Sequence, residues 1–441
     1  MIGGVVAVAL LLVVVAAVVV IPRLTGGEDE RRGFGPGPTQ EPEEQWATDI
    51  DKEAEIFLVA DDQRVYVLEG GEVDVDSGEE APIAVRAFAA SDGEELWDTE
   101  VEGLLSQGTP ILSPVGDGQV LLVDNGGGEP TTRLLDADTG EEVWEVDGEP
   151  SDGYQLFGLF GAPSVQGAEV IVFDVGGSDG ADPSMAGVER HSGEELWSEK
   201  ADSALPCGDV VLAVDDGGDD DDDGGDDFNA TPLTAYDSGD GEELWTAEGQ
   251  PGLCDGTNVA LSTANDEVQV RRLSDGEEGA VIDVPDGEET WSGIPFGDRV
   301  LVQRSTLTED EVELEVAVYQ GAGDEPTWED SDVFALPVDD DRVLTVTFRD
   351  RADQEIALIR PSDGEELGQA PFPAQDNACE GAFGAQTVIS CETGSADVRS
   401  FTLDSLEEQW AIDAGADVLR VAVGGDRLFV ATDDGELLGF R

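Results

Sequence analysis

Basic residues are scarce in this chain, and that scarcity excludes one class of function. Of its 441 residues, 21 are lysine or arginine and 102 are aspartate or glutamate, which gives a formal net charge of −81. Nucleic-acid binding needs a cationic surface that displaces counterions from the phosphates, so nucleic acid is excluded as a partner. Dense carboxylates repel one another unless salt screens them, and such an acidic excess is typical of proteins from halophilic prokaryotes.

Histidine is almost missing as well. The one histidine, His191, stands in ERHSGEELW at the point where a similar segment has DADTGEEVW, so it replaces a turn aspartate and is interpreted as a surface turn residue. Without a second histidine, neither a Ser-His-Asp triad nor a histidine-based metal site is expected. The G-x-S-x-G signature of serine hydrolases is also absent from the sequence.

Long apolar runs are limited to one, at residues 2–21. Twenty uncharged residues are enough to span a bilayer as a helix, and the run lacks the basic start and the A-x-A cleavage site of a signal peptide. Residues 1–24 are therefore predicted to be a transmembrane signal-anchor helix. Its orientation is open, because Arg23, Arg31 and Arg32 favour a cytoplasmic C-terminal side whereas the cysteines, considered below, favour an oxidising one.

A repeat dominates the rest of the chain. Residues 25–42 are rich in Gly, Pro and charge and are predicted to form a flexible stalk, after which DGEELW occurs at Asp92–Trp97 and again at Asp240–Trp245, with looser copies between and beyond. Up to Trp245 the marker tryptophans are 47 to 53 residues apart, and the later gaps of 83 and 82 residues are each close to two repeats. The repeat tryptophans are Trp46, Trp97, Trp144, Trp197, Trp245, Trp328 and Trp410.

Each repeat has the pattern of four short strands. In residues 107–148 these are TPILSP, QVLLVD, TTRLLDA and, after the turn DTG, EEVWEVD. Four-stranded antiparallel blades repeated in this way predict an all-β fold, a β-propeller over residues 43–441, without helical periodicity. The last repeat ends without its fourth strand, and Glu43–Ile50 matches the phase of Glu407–Ala414. The N-terminal strand is thus expected to complete the C-terminal blade.

The segment LLDADTGEEVW at Leu134–Trp144 resembles the A-x-D-x-x-T-G-x-x-x-W consensus of the PQQ-like repeat propellers. That resemblance implies eight blades as the family norm, whereas counting repeats here gives nine, and the sequence does not decide between them. The repeat tryptophans are interpreted as packing between blades, since an indole buries a large apolar area and a stripe at repeat spacing is seldom a ligand site.

Four cysteines occur at matched places in the repeats. Cys207 and Cys254 lie at the start of successive repeats, and Cys379 and Cys391 lie on adjacent strand candidates. The sequence contains no C-x-x-C motif, which would indicate metal or redox chemistry. Two structural disulfides, Cys207–Cys254 and Cys379–Cys391, are predicted, and with them an oxidising compartment. The alternative is four buried free thiols.

Two further segments have features of ligand-binding or modification sites. Asp215–Asp227 is a run of Asp and Gly whose spacing differs from that of a calcium loop, so it is interpreted as a solvated insertion. The sequon Asn229–Thr231 is relevant only if the host glycosylates its surface proteins. No catalytic residue, cofactor-binding residue or metal ligand is predicted.

The sequence therefore favours a non-enzyme. Its resemblance to the BamB-like, non-catalytic branch of the family implies a protein-binding or scaffold module, anchored in the cell membrane with the propeller on the extracytoplasmic side and bound to a protein partner of unknown identity. The chain departs from that branch in lacking a lipid-accepting cysteine after the apolar run. The alternative is a quinoprotein dehydrogenase that uses PQQ and calcium, although the vicinal cysteine pair that such enzymes share is absent.

Overall fold

The described part of the chain is built from strands. The computed structural model describes residues 37–51, 54–70, 83–101, 111–124, 130–150, 169–175, 184–214, 231–263, 267–284, 291–307, 312–323, 325–347, 354–372, 382–383, 386–391 and 394–441. Within these ranges the strands form nine four-stranded sheets, so the blades of the predicted propeller number nine. No helix in the described ranges is long and apolar enough to cross a membrane. The predicted transmembrane helix at 1–24 lies outside them.

The described residues divide into two compact units. Unit 1 covers 150–347 and 358–367, and unit 2 covers 37–149, 354–357 and 368–441. The strands of unit 2 are β1 (Glu44–Asp49), β2 (Glu55–Ala60), β3 (Arg64–Gly70), β4 (Ile83–Ala89), β5 (Glu95–Val101), β6 (Ile111–Gly116), β7 (Gln119–Asp124), β8 (Thr131–Asp136), β9 (Glu142–Asp147), β30 (Ala382–Phe383), β31 (Thr387–Cys391), β32 (Asp397–Thr402), β33 (Glu408–Asp413), β34 (Val418–Gly424), β35 (Arg427–Thr432) and β36 (Glu436–Phe440). They form the sheets β2–β5, β6–β9, β30–β33 and β1-β36-β35-β34.

Unit 1 holds the middle of the chain. Its strands are β11 (Val170–Val175), β12 (Ser184–Glu189), β13 (Glu195–Lys200), β14 (Ser203–Cys207), β15 (Val210–Val214), β16 (Pro232–Asp237), β17 (Glu243–Glu248), β18 (Gln250–Cys254), β19 (Asn258–Thr263), β20 (Glu267–Arg272), β21 (Glu278–Asp283), β22 (Trp291–Phe296), β23 (Arg299–Leu307), β24 (Val312–Gln320), β25 (Trp328–Ser331), β26 (Val333–Asp339) and β27 (Arg342–Thr347). The short strand β10 (Glu149–Pro150) completes the sheet β10–β13, and β14–β17, β18–β21 and β22–β25 follow. The remaining sheet has the order β26-β27-β28-β29, where β28 is Gln354–Arg360 and β29 is Glu365–Phe372. The unit boundaries divide the residues of β28 and β29.

Strand composition explains which strands lie inside a sheet. Second strands such as β3 and β15 are buried along their whole length and are rich in β-branched and aliphatic residues, as expected for a strand covered on both faces. Fourth strands such as β9 bury mainly the tryptophan and expose the carboxylates around it. The core lies between the faces of neighbouring sheets, and in unit 2 Val85 and Trp97 of one sheet pack with Val120 and Leu122 of the next.

The N-terminal strand completes the C-terminal sheet, as the phase of the repeat predicts. β1 is antiparallel to β36, with Trp46 opposite Gly439 and Asp49 opposite Glu436. Backbone hydrogen bonds between Glu43 and Arg441, of 2.9 and 3.0 Å, extend this pairing. The closing blade is therefore made from both ends of the sequence.

Hydrogen bonds to neighbouring sheets begin at residues that precede β1 in the sequence. Gly37 and Pro38, which the sequence assigned to the stalk, are buried. Gly37 donates its N–H to the Gly425 carbonyl at 3.0 Å, and the Pro38 carbonyl accepts a 2.8 Å hydrogen bond from the Trp410 indole. These residues occupy the place that the turn between third and fourth strands takes in other blades, because here the chain is interrupted at that turn.

Candidate functional site

Repeat tryptophans pack against a turn of a neighbouring sheet. The Trp97 indole lies over Gly140, where an added Cβ would come within 2.7 Å of the ring, and its Nε1 donates to the Ala137 carbonyl at 2.9 Å. Gly140 has φ 69°, so this turn needs both the left-handed conformation and the missing side chain. Equivalent hydrogen bonds join Trp46 to Ala90, Trp197 to Ser238 and Trp245 to Leu273.

The remaining repeat tryptophans vary in burial. Trp144 and Trp410 are buried, whereas Trp328 is half-buried and lies against Gly364. Their contacts are those of packing between sheets.

Arginines that open second strands also reach a neighbouring sheet, and sequence analysis missed them. Arg64 is only 5% exposed and pairs with Asp61 at 3.1 Å and with Asp138 of the next sheet at 2.5 Å. Arg299 and Arg427 donate to the carbonyls of Asp340 and Ala90, respectively. The signal in the sequence is an arginine followed by two or more apolar residues, as in DQRVYV, GDRVLV and GDRLFV.

Shifted pKa values in unit 2 follow from these structural contacts. Burial raises the pKa of the Tyr66 hydroxyl, and the neighbouring Asp61 carboxylate, which accepts its hydrogen bond at 3.0 Å, adds to that shift. Burial is the largest single influence and works against the charge of Arg64, but the hydrogen bond to Asp138 and the charge interactions with Tyr66, Asp61 and Asp138 together outweigh it, so the pKa of Arg64 is raised overall. Hydrogen bonds from Thr139 lower the pKa of Asp136. Each shift is explained by a contact within or between sheets, so none marks an acid or base held ready for catalysis.

One group of side chains in unit 1 has the donors of a metal site. Ligand atoms of Glu169, Glu189 and His191 all lie within 4.8 Å of one another. His191 is an exposed turn residue, as expected, but its two glutamate neighbours were not predicted because one of them, Glu169, lies 22 positions earlier in the sequence. Hydrogen bonds from Ser192, including one from its backbone N–H at 2.7 Å, lower the pKa of Glu189.

The predicted disulfide between Cys207 and Cys254 is present, with a Cα–Cα distance of 6.0 Å. It joins the first strands of the two sheets β14–β17 and β18–β21. Cys391 is buried and disulfide-bonded, whereas Cys379, its predicted partner, lies outside the described residues. The acidic run 215–227 and Asn229 of the sequon also lie outside them, whereas Thr231 is described and buried.

A quinoprotein dehydrogenase, the alternative function, would be expected to have a vicinal cysteine pair and a calcium site. Cys207 and Cys254 bond to each other across 47 positions, so they do not form the vicinal pair that those enzymes have. The metal-ligand group found among the described residues is Glu169, Glu189 and His191, a mixed nitrogen and oxygen set. It differs from the Glu/Asn/Asp set that holds calcium beside the quinone.

Aliphatic side chains project into solvent beside the tryptophans of several fourth strands. Leu96 is 38% exposed, Val143 43% and Leu196 47%. Each is the extra residue of a β-bulge: Trp97 pairs with Ala87 and Glu95 with Phe88, which leaves Leu96 without an opposite residue. The same register shift occurs at Val143 and Leu196. The bulge buries the tryptophan on one face and turns its predecessor to solvent.

Comparison with known proteins identifies the repeat. Residues 83–221, less than half of the chain, match the sequence profile of the family described as outer membrane protein assembly factor BamB. No curated protein matches the sequence. Among solved structures, BamB from Moraxella catarrhalis is 11% identical, with a TM-score of 0.41, over 91% of this chain and 100% of that one.

Two other solved structures are similar to the chain at comparable levels. Quinohemoprotein alcohol dehydrogenase from Comamonas testosteroni is 11% identical, with a TM-score of 0.45, over 95% of this chain and 80% of that one. The computationally designed Ika8 protein is 14% identical, with a TM-score of 0.45, over 77% of this chain and 98% of that one.

Proposed function

We propose that the chain is a non-catalytic protein-binding module of the PQQ-like repeat propeller family, whose profile matches residues 83–221. The observation that carries this proposal is the pair formed by Leu96 and Val143, exposed aliphatic residues at the same repeat position of two sheets that Trp97 holds together. Apolar side chains held rigidly in solvent favour contact with another apolar surface.

The surroundings of this pair define the kind of partner. On the same fourth strands, the exposed Asp98 lies two positions after Leu96 and the exposed Glu142 directly precedes Val143. A partner surface with an apolar centre and basic residues around it would complement both features. The bulges at Leu96 and Val143 twist the strand edge, which disfavours addition of a partner strand and favours contact through side chains.

We further propose that the module is anchored by residues 1–24 and faces the extracytoplasmic side in a halophilic prokaryote. The apolar run 2–21 supports the anchor. The Cys207–Cys254 disulfide supports an oxidising compartment, since thiols stay reduced in most cytoplasms. The net charge of −81 supports a high-salt environment.

Capture of partners from native membranes at native salt tests the binding proposal. The full-length chain should retain a protein partner that the double variant Leu96→Ser/Val143→Ser loses. Val281→Ser is the matched control, because Val281 is also a fourth-strand aliphatic, 37% exposed, but lies in unit 1 and does not precede a tryptophan. Equal capture by the wild type and the double variant would contradict the proposal.

The absence of enzyme activity is a separate part of the proposal. We expect no dye-linked oxidation of alcohols or aldose sugars after addition of PQQ and calcium, because the vicinal cysteines are missing from the sequence. Tryptophan fluorescence should show no saturable, calcium-dependent change on adding the quinone. Turnover together with such a change would favour a quinoprotein dehydrogenase instead. Weak calcium binding alone would not, since so acidic a surface attracts divalent ions.

A further inference from the structure

Glu169, Glu189 and His191 come together through a backbone contact common to the sheets. Glu169 directly precedes β11, Glu189 ends β12, and His191 lies in the turn that follows. The Arg190 N–H donates to the Glu169 carbonyl at 3.0 Å, which holds the start of the second strand against this turn. In the sheet β22–β25, the Gly321 N–H donates to the Asp298 carbonyl in the same way at 2.9 Å.

In that second sheet the side chains at these two positions satisfy each other. Asp298 corresponds to Glu169 and Gln320 to Glu189, and the Gln320 amide donates to the Asp298 carboxylate at 3.0 Å. In the sheet β10–β13 both positions carry a carboxylate, so neither side chain has an N–H to offer the other. Among the described residues, neither glutamate forms an ion pair with a lysine or arginine.

The imidazole separates this group from an ordinary pair of surface carboxylates. His191 is the chain's sole histidine, and a ring nitrogen lies within 4.8 Å of a carboxylate oxygen of each glutamate. One nitrogen and two oxygen donors suit a divalent transition ion better than calcium or magnesium, which prefer oxygen ligands alone. Three protein ligands leave at least one coordination position for water.

We propose that Glu169, Glu189 and His191 form a binding site for a divalent transition-metal ion of the zinc type. The ion takes the place of the amide N–H that Gln320 donates to the Asp298 carboxylate at the comparable contact. It links the start of β11 to the turn after β12 and so clamps one blade. This site is independent of the partner-binding function proposed above.

The sole histidine makes the test specific. In the full-length chain with isotope-labelled histidine, the imidazole signals report only this site. Titration with zinc in molar KCl should shift them and reach saturation, whereas calcium or magnesium at the same concentrations should leave them in place. Imidazole signals that do not move in a large excess of zinc would overturn the proposal.

Conservative variants separate a built site from general attraction to the acidic surface. Glu169→Gln and Glu189→Gln should each weaken zinc binding by roughly tenfold or more, as loss of a direct ligand should have at least the effect of second-shell changes. Both should keep the fold, since a carboxylate–amide pair is what Asp298 and Gln320 already form. Glu194→Gln removes a nearby exposed carboxylate outside the group and should leave the affinity unchanged.

A variant in the other sheet tests the need for the imidazole. Gln320→Glu adds a carboxylate pair without a histidine, like the one that Asp209 and Asp237 already place at these positions in the sheet β14–β17, and calorimetry should still give one zinc site per chain. A second site of similar affinity, or an equal loss of affinity in Glu194→Gln and Glu169→Gln, would mean that zinc binds carboxylates diffusely and would contradict the proposal.

Discussion

Gly140 shows how much a single residue contributes to the contact between two sheets. Its φ of 69° is a conformation that L-residues adopt at a cost of about 1–3 kcal/mol, and an added Cβ would lie 2.7 Å from Trp97. Gly140→Ala should therefore combine backbone strain with a clash of about 1–3 kcal/mol more. Denaturant unfolding at molar salt should show a midpoint well below that of the wild type.

The two contributions can be separated with a second glycine of unit 2. Gly415 has φ 83° and no atom within 4 Å of a built Cβ, so Gly415→Ala introduces strain without the clash. We expect Gly140→Ala to lower the unfolding midpoint more than Gly415→Ala. If the two variants unfold together, the indole does not depend on the missing side chain at Gly140.

At the scale of elements, the disulfide joins the first strands of two neighbouring sheets in unit 1. Its cysteines are 47 positions apart, and closing a loop of that length restricts the unfolded chain by about 4 kcal/mol. The double variant Cys207→Ser/Cys254→Ser should lose a comparable part of the free energy of unfolding, measured with denaturant at molar salt.

Thiol labelling provides the chemical counterpart of that experiment. Alkylation of the unreduced, unfolded wild type followed by mass spectrometry should label no cysteine if Cys379–Cys391 also forms as predicted. Four labelled thiols would contradict both pairings and the oxidising compartment.

The N-terminal strand provides a second test at this scale. Removing residues 1–49 deletes β1 and leaves the edge of β36 unpaired, so we expect a sharp fall in melting temperature and self-association through that edge. Removing only residues 1–36 keeps Gly37, Pro38 and β1 and serves as the control. Equal melting temperatures for the two shortened chains would show that β1 does not close the sheet.

The repeats made most of this architecture predictable from the sequence, whereas the contacts between repeats could not be predicted. Tryptophan spacing and strand phase lead to the four-stranded sheets and to β1 beside β36, because both are encoded within one repeat length. The Trp410–Pro38 hydrogen bond joins residues 372 positions apart and is identified only once the register of both sheets is fixed. The approach of Glu169 to His191 lies within one repeat, but it depends on the register of β11 against β12, in which Val170 is opposite Glu189, and the repeat pattern alone does not give that register.

Across the whole molecule, charge should govern stability. With −81 net charges, we expect the fold to require molar salt, which shortens the Debye length from about 10 Å at 0.1 M to roughly 3 Å at 1 M. Circular dichroism against KCl concentration should show a cooperative gain of β-structure. A folded spectrum with a high melting temperature in millimolar buffer would contradict this expectation.

Mild acidification should partly replace salt, but only over a limited range. Protonation relieves repulsion between carboxylates as the pH falls toward about 5, close to their ordinary pKa values. Further acid should destabilise the fold, because the pKa values of Asp136 and Asp275 are lowered by hydrogen bonds from turn residues. A group of this kind stabilises the fold above its unfolded pKa, and that contribution is lost as the pH falls through its lowered value.

The closing blade also sets the order of events during synthesis. Asp49 leaves the ribosome about 390 residues before Glu436, its partner across the sheet. At about 5–20 residues per second, β1 waits roughly 20–80 s for β36. During that interval the nascent chain carries an unused strand, and neighbouring chains on one messenger present the same strand to one another. Among the described strands β1 is made first and placed last, so we expect crowded translation to favour exchange of β1 between copies and repulsion between such acidic chains to oppose it.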